Sequence, residues 1–169
     1  MNYDKNKEII VNLFQRMRAL SSTFEPVLKN AEMKHFFKEQ LELRKEITEI
    51  FFNSCGKICR QCQGNCCNSY IWLFKKDLLL FLSQNKFSLP EPDWNFINSK
   101  KCCIFLSDSG CILKEFRPWQ CLKHVCNKFY AIKIDAEVLK EITVLVDKYA
   151  IKTNQLAGEI QQKWHLTLD

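Results

Sequence analysis

Over residues 4–20 the apolar positions return every three or four residues: Ile9, Ile10, Leu13, Phe14, Met17 and Leu20. That recurrence predicts an amphipathic helix. The stretch Ser-Ser-Thr-Phe-Glu-Pro at 21–26 interrupts it, and Ser22 with Glu25 has the spacing of a capping box for a second helix. The second helix is expected to run to about Phe52, burying Phe36, Phe37, Leu41, Ile47, Ile50 and Phe51. Late in the chain, Asp135 has N-cap chemistry. Behind it, Val138, Leu139, Ile142, Leu145, Val146, Tyr149, Leu156, Ile160 and Trp164 predict one long helix or two shorter ones over 135–164. All these stripes read as core packing.

The centre has a different pattern. Residues 77–84 predict a short helix with Asp77 as its cap. Residues 88–101, with Pro90 and Pro92, predict a loop. Residues 103–114 are apolar on both sides of Ser107–Gly110, the signature of a small hairpin with Asp108 in its turn. There is no internal repeat. The expected architecture is mainly α, a single domain over 1–169. A helical scaffold from 4–53 and 135–164 surrounds a loop-rich cysteine module at 55–126 that contains the hairpin.

The chain has 169 residues, long enough to bury a core without disulfide support. Hydrophobic residues make up 47% and charged residues 26%, an ordinary globular balance. No apolar run approaches the ~18 residues of a membrane span. The first residues contain no uninterrupted apolar segment of the secretory kind. The expectation is therefore a cytoplasmic protein with reduced thiols and no membrane contact. All ten cysteines fall between Cys55 and Cys126, and in a reducing compartment such crowding points to metal rather than to disulfides. Charge follows the same division. Residues 55–133 carry 12 Lys/Arg against 5 Asp/Glu, whereas the rest carry 13 against 14. A basic region suggests nucleic acid, but a metal held by several thiolates is itself negative and calls for neighbouring cations. The second explanation is preferred, which makes another protein the expected partner.

Cys59 and Cys62 are three apart, close enough to reach one ion across a turn. Cys66 follows four later. Its neighbour Cys67 points elsewhere in most backbone conformations, so the pair serves two metals, or one metal plus a structural or redox role. The second half adds Cys102, Cys103, Cys111, Cys121 and Cys126. An all-thiol set suits both tetrahedral zinc and iron–sulfur ligation. Cys55, Cys59 and Cys62 also have the spacing by which radical S-adenosylmethionine enzymes leave one iron of a [4Fe–4S] cluster open. Only four glycines and few strand candidates speak against the partial barrel such enzymes use. His124 is an additional candidate ligand, whereas His35 and His165 lie in the flanking helices. Arg117 has two readings: it donates to a cluster sulfur or an anionic ligand, or it caps backbone carbonyls. Trp72, Phe105 and Trp119 are expected to shield a metal from water. No Ser-His-Asp set, phosphate-binding loop or paired-carboxylate pattern is present in the sequence.

The order Cys59-x-x-Cys62-x-x-x-Cys66-Cys67, then Cys103-Ile-Phe-Leu, then Gly110-Cys111, then Arg117-Pro118-x-x-Cys121 and Cys126 resembles the YkgJ-type cysteine-cluster family of zinc- or iron-chelating domains. The resemblance spans residues 55–126. This chain has three residues before the Cys66–Cys67 pair where the tight family form has two, and Cys55 and Cys102 are extra. The resemblance implies chelation by Cys59, Cys62, Cys66, Cys67, Cys103, Cys111, Cys121 and Cys126, with Cys55, Cys102 and His124 as additional candidates and Arg117 beside the ligands. The cofactor it implies is an iron–sulfur cluster, [4Fe–4S] among the candidates, or zinc. Some relatives are fused to enzymes that methylate protein lysines, which implies a role in redox chemistry or in modification of a partner protein. The alternative is a zinc-held interaction module whose basic surface meets protein or nucleic acid. Replacing each cysteine by serine and counting bound metal per chain tests the ranking. Cys59, Cys62 and Cys66 are expected to cost more metal than Cys55 or Cys102, and equal losses at Cys59 and Cys102 defeat it.

Overall fold

The computed structural model describes residues 3–61, 74–84, 90–95, 97, 103–107, 110–123 and 135–168. Among them the chain is mainly helical. Helix α1 spans Tyr3–Thr23, α2 Glu25–Lys29, α3 Ala31–Gln61, α4 Lys75–Ser83, α5 Trp119–Lys123 and α6 Ala136–Trp164. A minimal antiparallel pair, β1 (Leu106–Ser107) and β2 (Gly110–Cys111), sets Leu106 opposite Cys111 and Ser107 opposite Gly110. A single 3₁₀ turn, Lys114–Phe116, follows. Residues 108 and 109, where the expected hairpin turn falls, lie outside the described residues.

The expected break falls within residues 21–26, at Phe24 between α1 and α2, but without the expected cap. Ser22 is inside α1, so the Ser22–Glu25 capping box does not form. Phe24 stands at the N-terminus of α2 without a side-chain cap, and its N–H donates to Leu20 O at 2.8 Å. The effective signal is Asn30. Its backbone turns to an extended conformation (ψ 130°), and its Oδ1 accepts from Met33 N at 3.0 Å. Asn30 thus both ends α2 and caps α3, as a short amide side chain does well. At the other end, Asp135 caps α6 as expected, accepting from Glu137 N at 2.9 Å. Residues 136–164 form one unbroken helix. It closes at His165, whose left-handed backbone (φ 55°) lets its N–H reach Gln161 O at 3.0 Å.

α3 and α6 run antiparallel and form the axis of the fold. Their register is set by Lys163 donating to Glu32 at 2.7 Å, Lys152 to Glu39 at 2.7 Å and Thr153 to Gln40 at 2.9 Å. The two ion pairs are partly or largely exposed and set register more than they add stability. Apolar burial supplies the stability. One core joins Leu13 and Met17 of α1, Val27 of α2, Phe37 and Leu41 of α3, Leu78 to Leu82 of α4, and Leu156 and Ile160 of α6. Helix α4 is buried all round, Leu78 through Leu82 being at most 2% exposed, as its unbroken apolar run dictates. A second, smaller core joins Leu43 and Ile47 of α3, Trp119 and Leu122 of α5, and Leu145 and Tyr149 of α6.

Between the two cores lies a fully buried ion pair. Arg44 Nη2 meets Asp77 Oδ1 at 2.5 Å, and neither side chain touches solvent. Arg44 also donates through Nε to Tyr149 Oη at 2.7 Å, a second bond reaching the same oxygen from Nη2, and through Nη1 to Arg117 O at 2.9 Å. The second oxygen of Asp77 accepts from Phe74 N at 3.0 Å, and Oδ1 also accepts from Trp119 N at 3.1 Å. The carboxylate therefore caps two helices, α4 and α5, besides neutralising Arg44. Burial pulls the Arg44 guanidinium down, but Tyr149 and Asp77 outweigh it and hold the group above its ordinary value. Burial pushes the Tyr149 phenol up.

Removing one partner of such a pair leaves an uncompensated buried charge. Asp77→Ala is expected to lower the unfolding free energy by about 3–5 kcal/mol, read from urea denaturation. A loss below ~1 kcal/mol, the range of an exposed pair, contradicts it.

Candidate metal centre

Helix α3 continues to Gln61, past the expected end near Phe52. Positions 55 and 59 therefore stand in a helix, one turn apart, rather than in a loop. The cysteines were a change of composition, not of backbone preference. Cysteine has middling helix propensity, no proline intervenes, and Gly56 alone costs about 1 kcal/mol relative to alanine.

The other described cysteines lie on short elements against the scaffold. Cys103 starts the turn that leads into β1, its carbonyl accepting from Leu106 N at 3.0 Å. Cys111 is on β2, opposite Leu106. Both thiols pack against the larger core. Cys121 is in α5, which is seated in the smaller core by Trp119 and Leu122 on either side of it. Cys103, Cys111 and Cys121 are each half-buried and outside any disulfide. Cys62, Cys66, Cys67, Cys102, Cys126, His124 and Trp72 lie outside the described residues. Among the described residues, no three His, Cys, Asp or Glu side chains converge as a metal-binding group.

The described donors fit a thiolate-bound metal in chemistry. Cys103, Cys111 and Cys121 all offer sulfur, none of the three is spent in a disulfide, and none is sealed in the core. Their backbone is fixed from below. Leu106 N bonds Cys103 O, Ile112 N bonds Phe105 O at 2.9 Å, and Cys121 N bonds Pro118 O at 2.9 Å.

Arg117 is only 7% exposed, and its guanidinium carbon lies 5.4 Å from the centre of the Phe51 ring, one turn before position 55. Its carbonyl accepts from Arg44. The expected shields Phe105 and Trp119 are core residues. Phe105 belongs to the larger core, and Trp119 stacks on Tyr149 with ring centres 4.5 Å apart. Both lie close in sequence to a cysteine and anchor it.

The sequence pattern passes over Arg44, counts Tyr149 only as core packing and gives Asp77 only a cap. A signal for Arg44 existed. It falls on the apolar stripe of α3, between Leu41 and Ile47, and a charge on a buried face calls for a buried partner. Asp77 directly precedes an apolar run of five residues, Leu78 to Leu82.

Compared with family models, curated proteins and solved structures, the chain matches none. Among the described residues no helix is long and apolar enough to cross a membrane. A groove of about 750 Å³ lies where α1, α2 and α4 meet, floored by Phe14, Met17, Leu28 and Leu82; no described cysteine lines it.

Arg117→Ala removes a stacked cation and a large buried side chain. It is expected to lower stability by about 1–3 kcal/mol. Arg117→Lys should recover only part, since lysine keeps the charge but loses the planar group that lies on the ring. Thermal melts of both variants decide this, and two melts equal to that of the parent protein contradict it.

Proposed function

We propose that this chain is a metal-binding protein whose clustered cysteines carry an iron–sulfur cluster, used in redox chemistry or in modification of a partner protein. The observation that supports it most is the setting of Cys103, Cys111 and Cys121: half-buried, outside any disulfide, and carried on short hydrogen-bonded segments that pack against the two cores. The crowding of all ten cysteines between 55 and 126 adds to it, as does the resemblance to cysteine-cluster proteins. Cys59, Cys62, Cys66, Cys67, Cys103, Cys111, Cys121 and Cys126 are the proposed ligands, with Cys55, Cys102 and His124 in reserve. When bound, such a cluster supplies one-electron transfer. The residues of this chain would set its environment, by apolar packing at Phe105 and Trp119 and by positive charge at Arg117. A cytoplasmic location and a protein partner belong to the same proposal.

Zinc is the second reading. The strand pair has two residues on each side, too few to be stable alone. A metal clasp across Cys103 and Cys111 would hold it, which is the work of structural zinc.

Anaerobic purification followed by metal analysis separates the two. Brown protein with broad visible absorption and bound iron is the expected result. Colourless protein with stoichiometric zinc supports the second reading. Protein with full helical content and no bound metal, unable to take up iron or zinc under reducing conditions, overturns both.

A further inference from the structure

We infer that the buried Arg44–Asp77 pair is a positioning device for the Cys121 thiol, so that the helical scaffold dictates where this thiol stands in the metal centre. The inference rests on the proposed role of Cys121 as a ligand.

The argument starts from where the bonds of the pair end. A buried ion pair that served only to join helices would need no contact with the cysteine-bearing segments. This one spends two bonds on a single short stretch. Arg44 Nη1 donates to Arg117 O at 2.9 Å, and Asp77 Oδ1 accepts from Trp119 N at 3.1 Å. A third hold comes from the Trp119 ring, stacked on Tyr149, whose hydroxyl itself accepts from Arg44. Residues 117–119 are thus gripped by α3, α4 and α6 together. Cys121 comes two residues later, in α5, and its N–H and that of Leu122 return to Pro118 O at 2.9 and 3.1 Å. Between the grip and Cys121 the backbone is hydrogen-bonded, which leaves only the thiol's own side-chain torsion to turn.

Over its described residues, Trp119–Lys123, α5 is tied to the other helices by these contacts and by Trp119 and Leu122 in the smaller core. The chemistry of Asp77 suits the task. A carboxylate has two oxygens and room for about four hydrogen bonds. Here it accepts from Arg44, Phe74 and Trp119, so α4, α5 and α3 are referred to one group. Neither Asn nor Ala reproduces this, and a hydrophobic pair of similar volume would fill the space without holding the backbone of residues 117–119.

That difference makes the test. Replacing a buried ion pair by apolar residues often leaves stability intact, so Arg44→Met combined with Asp77→Leu separates positioning from mere stability. The full chain is purified anaerobically. Before and after chelation, alkylation by N-ethylmaleimide is mapped by mass spectrometry, with Cys111 as the internal reference. The variant is expected to keep its helical circular dichroism and cooperative melt. Its Cys121 is expected to react on the order of tenfold faster relative to Cys111, and bound metal per chain should fall. An unchanged Cys121-to-Cys111 ratio in a folded variant overturns the inference. A raised ratio with unchanged metal content also overturns it, because Cys121 is then not a ligand. If the parent protein binds no metal, the proposed function fails, while a raised ratio in the chelated state still shows that the pair places the thiol. Should the double variant lose its cooperative melt, Tyr149→Phe takes its place. It keeps the ring stack on Trp119, removes the hydroxyl that orients Arg44, and is judged on the same ratio.

Discussion

The carboxylate of Asp77 has no solvent to turn to, and everything around it is arranged accordingly. It neutralises Arg44 from α3, takes the first N–H of α5 and reaches back to the N–H before α4. Arg44 in turn is held by the Tyr149 hydroxyl of α6. Removing a charged group from water is costly, and the cost is offset only when the partners are complete. The geometry of four helices is therefore coupled through one small polar cluster. The two apolar cores on either side supply the bulk of the stabilisation.

This arrangement gives the cysteine segments a firm base. Cys103 and Cys111 rest on the larger core, and Cys121 rides on a short helix gripped at residues 117–119. Arg117 serves the same junction twice, with its carbonyl on Arg44 and its guanidinium over Phe51. A metal centre built on such a base would meet ligands whose backbone is already placed.

The long helices were legible because their evidence is periodic. The stripes of α1, α3 and α6 are strong, and Asp135 announces the start of α6 by side-chain chemistry alone. Boundaries are less legible. Ser22 and Glu25 match a capping box, yet Phe24 separates α1 from α2 without a side-chain cap and Asn30 caps α3. α3 runs past the start of the cysteine region because cysteine content is not itself a helix boundary. The Arg44–Asp77 pair was hidden for a different reason. Its partners are 33 residues apart and join through tertiary packing, which no local pattern encodes. Arg44 on an apolar stripe was the one trace it left. Of the candidate site, residue types and spacing were visible, whereas the support beneath Cys121 was not.

The span of the axis contacts has a consequence for synthesis. Arg44 meets Tyr149 across 105 residues, and Glu32 meets Lys163 across 131. A ribosome delivers the chain from its N-terminus at about 5–20 residues per second. All ten thiols, ending at Cys126, therefore emerge before the helix that completes the scaffold. For some seconds the cysteines are in the open while Arg44 and Asp77 still lack Tyr149. Any metal that meets the nascent thiols meets them before the scaffold is complete, and closure of α6 is the event that supplies Arg44 with its last partner.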